Sequence, residues 1–393
     1  MTGDRPAASA LDVLRALETA ARVRGLPGPA ALIGDWADAD AVIAPSIELV
    51  DGCAPPDRPD RFWFGALSFP VRADESPLPA VVGGFTDGVL TLSRGRWRWE
   101  SVSGAPQPEW VRRALTATAE ARPWRTQWTE PDRDAHLDAV RRCLTAIAAG
   151  EVYQACVCTQ FRGRLAGRGV DFYADVAAAT APAKSAWLSG DWGAVASFSP
   201  ESFLDRRGRR VTSSPIKGTL PASADPALLA ASTKDVAENV MIVDLVRNDL
   251  GRVARTGSVT VPDLLTVIGA PGVWHLVSTV AAELRSAVGN DELLAATFPP
   301  ASVTGTPKIR AMELLADWEG QARGIYCGAV GLAGPDALLD LNVAIRTVSI
   351  SPDGHLSLGV GGGITIDSDP AAEWQECLDK ASSIVGFTPQ AAP

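Results

Sequence analysis

Short strand-like runs and amphipathic helices follow one another along this chain without a regular order. Runs such as RFWFGALSF, VVGGF and VLTLS fill the first part of the chain between proline-rich breaks, after one leading helix. The segment DRDAHLDAVRRCLTAIAAGE then carries apolar residues at helical spacing. Further helices are predicted over 233–253, 306–319 and 368–385, the last with Asp369 as its cap. This irregular interleaving predicts a mixed α and β fold.

Length and charge limit the classes of protein to consider. The 393 residues are 46% hydrophobic, enough to bury a sizeable core in one large domain or two ordinary ones. The formal net charge is -10 and no run of Lys or Arg collects on a helix, so binding to nucleic acid or to an acidic membrane is disfavoured. The amino-terminal segment lacks the features of a signal peptide, and no apolar run reaches membrane-spanning length. A cytoplasmic protein is expected.

The cysteines favour packing over chemistry. Their scatter along a long chain favours reduced thiols over a disulfide framework. The six are Cys53, Cys143, Cys156, Cys158, Cys327 and Cys377. Cys156 and Cys158 are two apart in a strand pattern, so their side chains share one face. Because the chain has only three histidines and none is near that strand, core packing is a better explanation than metal binding.

Two predicted helices each present carboxylates on one face. Asp235 and Glu238 are three residues apart on one helix. On the other helix, Glu373, Glu376 and Lys380 follow at i, i+3 and i+7. A solvated helix face explains either set alone. Oxygen ligands from two separate helices would nevertheless suit Mg²⁺ better than a soft metal.

Three arginines form a complementary basic set. Arg346 interrupts the apolar run LNVAIRTVSI, where an unpaired guanidinium is costly, so it should meet an acid of the protein or of a ligand. A carboxylate substrate is therefore plausible. Arg247 and Arg252 could take part, but spacing alone favours pairing with Asp244 or Asp249 at a helix end.

At these and other motifs the chain resembles the chorismate-utilising enzymes, the family of anthranilate, isochorismate, salicylate and aminodeoxychorismate synthases. The matching stretches are GEVYQA, SFSPESF, SSPIKGT, KDVAENVMIVDLVRNDLGRVA, HLVST, TGTPKIRAME, YCGAVG, IRT and GGGITIDSDPAAEWQECLDKAS, in the family's order. The resemblance implies an α+β fold like that of anthranilate synthase component I, with two large packed antiparallel sheets surrounded by helices. It implies an amino-terminal part, 1–130, that contributes sheet and a leading helix, and a chorismate-binding catalytic part, 131–390, that forms one intertwined domain.

The resemblance also implies roles for individual residues. Glu238 and Glu376 match the ligands of a Mg²⁺ ion that holds the ring carboxylate of chorismate. The predicted substrate-binding residues are Tyr326, Arg346, Gly361, Gly363, Lys380, Gln154, Arg247 and Arg252. His275 and Thr219 match positions near the ring and are predicted to be catalytic, with a structural role for His275 as the alternative.

Two positions select the branch of the family. Branches that add water to the ring carry a lysine base where this chain has Gln154, and a neutral amide cannot take a proton from water. Among the ammonia-using branches, anthranilate synthase has alanine where this chain has Lys217, whereas aminodeoxychorismate synthase has lysine. An amine in an apolar pocket near a divalent cation should have a lowered pKa and act as a nucleophile. By the resemblance, Lys217 would add at ring carbon 2 while the carbon 4 hydroxyl leaves with a proton from Glu201, and ammonia would then displace the lysine. A structural ion pair, with Glu201 as one candidate partner, is the alternative.

The predicted activity is that of aminodeoxychorismate synthase component I. No glutaminase nucleophile turn is evident, so ammonia is expected from a separate glutamine amidotransferase subunit. The product would serve para-aminobenzoate and folate biosynthesis or a specialised aromatic amine pathway, which the residues do not distinguish. Synthesis of anthranilate or of 2-amino-2-deoxyisochorismate is one alternative, and a non-catalytic chorismate-binding subunit is another. Thr306, where the family commonly has alanine, and Pro300 and Ala301 depart from the family pattern and bear on substrate placement.

Overall fold

A computed structural model describes residues 8–52, 54–57 and 60–388. Cys53 therefore lies outside the described residues. In those ranges no helix is both long enough and apolar enough to cross a membrane. The helices of the described ranges are α1 (Ala10–Val23), α2 (Glu109–Ala114), α3 (Arg133–Ala148), α4 (Gly169–Thr180), α5 (Ala227–Ala231), α6 (Thr233–Gly251), α7 (Asn290–Thr297), α8 (Lys308–Trp318) and α9 (Pro370–Val385).

The strands of the described ranges lie between these helices without regular alternation. They are β1 (Ala30–Trp36), β2 (Ala39–Ala44), β3 (Glu48–Leu49), β4 (Phe62–Leu67), β5 (Val81–Thr86), β6 (Gly88–Ser93), β7 (Arg96–Ser101), β8 (Arg125–Thr129), β9 (Gln154–Ala166), β10 (Lys184–Gly190), β11 (Gly193–Ser199), β12 (Ser202–Arg207), β13 (Arg210–Ser214), β14 (Ile216–Pro221), β15 (Thr260–Ala270), β16 (Val273–Glu283), β17 (Gly305–Thr306), β18 (Ala329–Gly334), β19 (Leu338–Val343), β20 (Thr347–Ile350) and β21 (His355–Ile364).

These strands form two large antiparallel sheets. The first has the order β17-β9-β21-β20-β11-β10-β1-β2-β6-β7, with β8 also paired to β9. The second has the order β14-β16-β13-β12-β19-β18-β4-β5-β3, with β15 also paired to β16. Strands from before and after residue 130 are neighbours in both sheets, since β1 pairs with β10 and β4 pairs with β18. The predicted boundary at residue 130 stays a prediction.

The core lies between the sheets and beneath the helices. Leu32 and Val42 of the first sheet share one buried cluster with Phe64 and Val330 of the second. On the outer face of the first sheet, α1 and α4 bury their apolar side chains in a second cluster. Residues of α6 and α7 bury theirs against the second sheet. The predicted α+β class and its two packed sheets are confirmed.

Local sequence explains where the predicted helices begin. Asp132, Ser232 and Asp369 each precede a helix, and each side chain accepts a hydrogen bond from a backbone N–H of the first turn. Such a cap satisfies one of the donors that a helix leaves unpaired at its amino end. The predicted helices over 132–151, 233–253, 306–319 and 368–385 correspond to α3, α6, α8 and α9 and are confirmed.

Candidate active site

A cavity of about 510 Å³ lies between β14 and β16 of the second sheet and β21 of the first. Helices α6 and α9 contribute further walls. Most of the predicted site residues line this cavity. These are Glu201, Lys217, Thr219, Glu238, His275, Tyr326, Arg346, Gly361, Gly363, Glu376 and Lys380. Residues from distant parts of the sequence are therefore brought together in one place.

Lys217 projects from β14 and is held by a carboxylate of α6. Its Nζ donates a hydrogen bond to Glu238 Oε1 at 2.7 Å, and its side chain is only 11% exposed. Burial alone lowers the pKa of Lys217, but attraction to Glu238 and to other nearby acidic groups, Glu201 among them, together outweighs it and leaves the pKa above its ordinary value. The expectation of a lowered lysine pKa is therefore wrong for this arrangement. The ion-pair partner is Glu238, not Glu201, because α6 packs directly against β14.

Glu201 lies in the turn between β11 and β12 and is buried. Burial raises the pKa of its carboxyl from the usual value to about 7. The positive charge of Lys217 opposes this rise without cancelling it. A carboxyl with such a pKa carries its proton over part of the neutral range, which is the property required of a general acid.

His275 and Thr219 lie opposite each other on neighbouring strands. Thr219 Oγ1 and His275 Nδ1 are 2.9 Å apart, within hydrogen-bonding distance. Burial lowers the pKa of His275 to about 4, and the positive charge of Arg346 adds to the effect. The imidazole is therefore neutral near pH 7 and suits hydrogen bonding to a ligand better than proton donation.

Arg346 lies at the junction of β19 and β20, where its backbone φ is 48°. The apolar run LNVAIRTVSI is thus divided between two strands at this arginine. Burial lowers the pKa of Arg346, and no carboxylate among the residues at 8–52, 54–57 and 60–388 forms an ion pair with it. A guanidinium in a cavity without a protein counterion suits a ligand carboxylate. Tyr326, whose ring packs over Gly359, lies nearby in the same wall.

Comparison with known proteins agrees with this geometry. The family model described as chorismate binding enzyme matches residues 71–386. The chain belongs to this family. Aminodeoxychorismate synthase component 1 from Klebsiella aerogenes is 38% identical over 329 residues, which cover 80% of this chain and 72% of that protein. Anthranilate synthase component 1 from Streptomyces coelicolor is 39% identical over 284 residues, which cover 70% of this chain and 55% of that protein.

The fold of this chorismate binding enzyme is also found in solved structures. The menaquinone-specific isochorismate synthase from Escherichia coli superposes with a TM-score of 0.73 at 19% identity, covering 96% of this chain and 91% of that one. At that level of identity the likeness concerns the fold alone. Two packed antiparallel sheets surrounded by helices are therefore a fold that this chain shares with that enzyme.

Besides Glu238, two further glutamates of this chorismate binding enzyme, Glu376 and Glu373, pair with lysines. Lys380 Nζ donates to Glu376 Oε1 at 2.6 Å and to the carbonyl oxygen of Gly361 at 2.8 Å. Burial alone raises the pKa of Glu376, but Lys380 lowers it below the ordinary value. Lys234 lies 3.4 Å from Glu373 in the same arrangement. The pairing with Lys380 thus favours the charged form of Glu376.

These carboxylates fit the Mg²⁺ ion that the family implies. Glu238 of α6 and Glu376 of α9 both line the cavity and offer the hard oxygen donors that Mg²⁺ prefers. No group of three metal-binding side chains lies together in the part of the chain that the structure describes. Two protein ligands suit an ion that keeps other positions for water and substrate. A methyl group on Gly363 would lie 2.2 Å from Glu238 Oε1, so the absence of a side chain at this position leaves room for the Glu238 carboxylate.

Three predicted residues do not line the cavity. Arg247 is half exposed and pairs with Asp244 at 2.8 Å, and Arg252 caps the carboxyl end of α6. Arg247 follows Glu238 by nine residues, which is about 14 Å along a helix. The substrate-binding role of both arginines stays a prediction. Gln154 is fully buried behind the cavity wall, next to Gly363.

Sequence reasoning missed several residues that line the cavity, and two of them are informative. Cys156 of β9 is one, and strand alternation from Gln154 could have placed it there. Only 6% of Cys156 is exposed, which agrees with the predicted role of this cysteine in core packing. Lys234 is the other, and it lies four residues before Glu238 on one face of α6.

Proposed function

We propose that this chain is a chorismate-aminating synthase that makes 4-amino-4-deoxychorismate, the activity named for its relatives from Klebsiella aerogenes and Salmonella typhimurium. The observation that carries the proposal is Lys217, whose amine lies in the cavity together with the proton-donating Glu201. A nucleophile and an acid in one cavity are what exchange of a ring hydroxyl requires.

Chorismate carries two carboxylates, and we assign a cation to each of them: Arg346 to one and Mg²⁺ to the other. Arg346, which lacks a carboxylate partner among the described residues, would bind one of them through charge-assisted hydrogen bonds. Glu238 and Glu376 would hold Mg²⁺, which supplies an electrophilic clamp on the other carboxylate. The ring would then lie between Lys217 and Glu201.

The reaction would proceed by two displacements on the ring. The Lys217 amine adds at carbon 2, both double bonds of the ring diene shift, and the carbon 4 hydroxyl leaves as water with a proton from Glu201. Ammonia then adds at carbon 4, both double bonds shift back, and Lys217 leaves as the free amine. The pair between Lys217 and Glu238 must open first, because a protonated amine has no lone pair to donate.

We also propose that ammonia comes from a glutamine amidotransferase partner. The name component 1, carried by the relatives, refers to an enzyme with a second component. Production of anthranilate is the second candidate, since the Streptomyces coelicolor relative with that name is equally similar. A lysine at position 217 favours the first candidate because anthranilate synthases have alanine there.

The test is product identification with two substitutions at one position. The purified chain is incubated with chorismate, Mg²⁺ and excess ammonium, and the product is identified by mass and chromatography. Lys217→Ala removes the amine, whereas Lys217→Arg keeps a positive charge next to Glu238 but cannot act as a nucleophile. Both variants should lose at least about a hundredfold in kcat. Aminodeoxychorismate formed by Lys217→Arg at the parental rate, or anthranilate formed by the parent, would refute the proposal.

A further inference from the structure

A groove of about 630 Å³ lies beside the carboxyl-terminal half of β9 and is larger than the catalytic cavity of about 510 Å³. Strand β9, residues of and near β20 and β21, and the segments 75–78 and 320–324 line it. Among the residues that the structure describes, none lines both the groove and the catalytic cavity. The groove, called here the β9 groove, is therefore a second place that can accommodate a small molecule.

The walls of the β9 groove combine apolar surface with hydrogen-bonding groups. Pro77 and Leu356 offer apolar surface to a ring. Gln160 is only 9% exposed, and its amide nitrogen donates to the carbonyl oxygen of Ala322 at 2.6 Å. The hydroxyl of Ser357 donates to the amide oxygen of Gln160 at 3.2 Å. Apolar walls with a few fixed polar groups are typical of small-molecule sites.

Two arginines of β9 give this groove positive charge. Arg162 lines it, and Arg164 follows two residues later, so both side chains leave the same face of the strand. In the described ranges of the chain, neither arginine forms an ion pair with a carboxylate. Arg162 donates to the amide oxygen of Gln321 at 2.7 Å, and Arg164 lies 3.5 Å from His355 Nε2. Neither guanidinium is thus neutralised by a carboxylate of the described chain.

Two carboxylates among the described residues line the β9 groove, and each has a basic partner of its own. Glu75 pairs with Arg72 at 2.7 Å, and Asp353 lies 3.1 Å from His355 Nε2. The guanidinium groups of β9 are therefore available to an incoming anion. In a chain with a formal net charge of -10, two such groups at one groove favour an anionic ligand. A guanidinium binds a carboxylate through charge-assisted hydrogen bonds.

The segment 320–324 connects the β9 groove with the catalytic cavity. Arg323 of this segment lines the groove and is 4% exposed. Its guanidinium donates to the carbonyl oxygens of Cys156 at 2.6 Å and Val303 at 2.8 Å, and both of these residues line the catalytic cavity. Glu319 holds the same guanidinium through two further hydrogen bonds. A shift of this segment would therefore reach the wall of the catalytic cavity.

We propose that the β9 groove is a regulatory site for a small aromatic carboxylate, whose binding weakens the binding of chorismate. The carboxylate would pair with Arg162 and draw it away from Gln321. The ring would lie against Pro77 and Leu356. Because Gln321 belongs to the same segment as Arg323, loss of its contact loosens the hold of Arg323 on the catalytic wall. The effect on turnover rests on the proposed function, whereas the binding itself does not.

The site is tested by calorimetric titration with 4-aminobenzoate and with 4-aminobenzamide, which has the same ring without a charge. The parent should bind the carboxylate and not the amide. Arg162→Gln should weaken binding of the carboxylate at least about tenfold. Arg113→Gln, which removes the charge of an exposed arginine of α2, should bind as the parent does. Arg346→Gln should also retain binding, since Arg346 lies in the other cavity.

Initial rates of amination then test the coupling between the two sites. With saturating 4-aminobenzoate, the KM of the parent for chorismate should rise about fivefold, and that of Arg162→Gln should stay unchanged. Absence of binding, equal binding by the parent and Arg162→Gln, or binding without a change in KM overturns the inference. An equal rise in both KM values also overturns it, because it indicates competition in the catalytic cavity. If the parent forms no aminated product, the proposed function fails, and calorimetric affinities for chorismate replace the KM values.

Discussion

The buried carboxyl of Glu201 should weaken the fold above neutral pH, and Glu201→Gln should remove that weakness. The pKa of Glu201 is raised by burial to about 7, against 4.5 for an unperturbed glutamate. The folded chain therefore holds a proton that the unfolded chain has released between these two values. The free energy of unfolding falls as the pH rises through this window, and it stays lower above it. The full window corresponds to about 3 kcal/mol, since a tenfold change in proton affinity is worth about 1.4 kcal/mol.

Glutamine has the same shape as glutamate and does not titrate, so the variant lacks this loss. Urea unfolding followed by tryptophan fluorescence gives the free energy of unfolding for both proteins. Between about pH 5.5 and about pH 8.5, the stability advantage of Glu201→Gln over the parent should grow by about 2 kcal/mol. The variant should at the same time lose amination activity, because glutamine cannot donate the proton that the leaving hydroxyl requires. Glu201 would then be a residue that lowers stability and serves function.

Asp340→Asn is the matched control. Asp340 is as buried as Glu201 but pairs with Lys184 at 2.8 Å. Removing its charge leaves the Lys184 ammonium uncompensated, so this variant should be less stable by about 3–5 kcal/mol at both pH values. A difference between parent and Glu201→Gln that does not change with pH would refute the reasoning. It would mean that Glu201 is already ionised in the folded protein at the lower pH.

Two further substitutions test the cavity walls. Gly363→Ala would place a methyl group 2.2 Å from Glu238 Oε1. We therefore expect about a hundredfold loss of activity with an unchanged melting temperature. In Gly361→Ala the added methyl group would lie 2.5 Å from the Val157 carbonyl oxygen, and this variant should have a lower melting temperature. Activity and thermal unfolding of both variants decide this, and retained activity of Gly363→Ala would contradict it. Arg346→Gln should raise the KM for chorismate about tenfold or more without loss of stability, because the arginine has no carboxylate partner among the described residues. An unchanged KM, measured by initial rates, would show that this arginine does not bind substrate.

The sequence predicts the helices that begin with a clear capping residue. It does not predict a helix whose residues are apolar on most sides, because no helical spacing of apolar residues can then be seen. Asp132 and Asp369 are the capping residues of α3 and α9, and each helix begins at the next residue. The segment of α4, GVDFYADVAAAT, is apolar over most of its length and buried on most sides, so no polar face reveals its period. The order of the strands in the two sheets depends on contacts between distant residues. Local patterns do not contain that information.

The candidate site also has features that the sequence reveals and features that depend on packing between distant segments. The residue types and their spacing within α6 and α9 are visible in the sequence, and so is the odd position of Lys217. The partner of Lys217 is not visible, because it depends on how α6 packs against β14. The β9 groove is hidden for the same reason, since it exists only where β9 lies beside β21 and the segments 75–78 and 320–324.

The pairing of lysines with glutamates joins two explanations that the sequence presents as alternatives. A lysine in SSPIKGT could be a structural counterion or a nucleophile. The structure gives Lys217 the first role, because its ammonium neutralises Glu238 beside two similar pairs at Glu373 and Glu376. Such pairing keeps several carboxylates close together without strong mutual repulsion. The same carboxylate is the predicted Mg²⁺ ligand, and one oxygen cannot serve the lysine and a cation equally well. A lysine displaced from Glu238 loses the charge that raises its pKa, so release from the structural role favours the free amine that the chemical role needs.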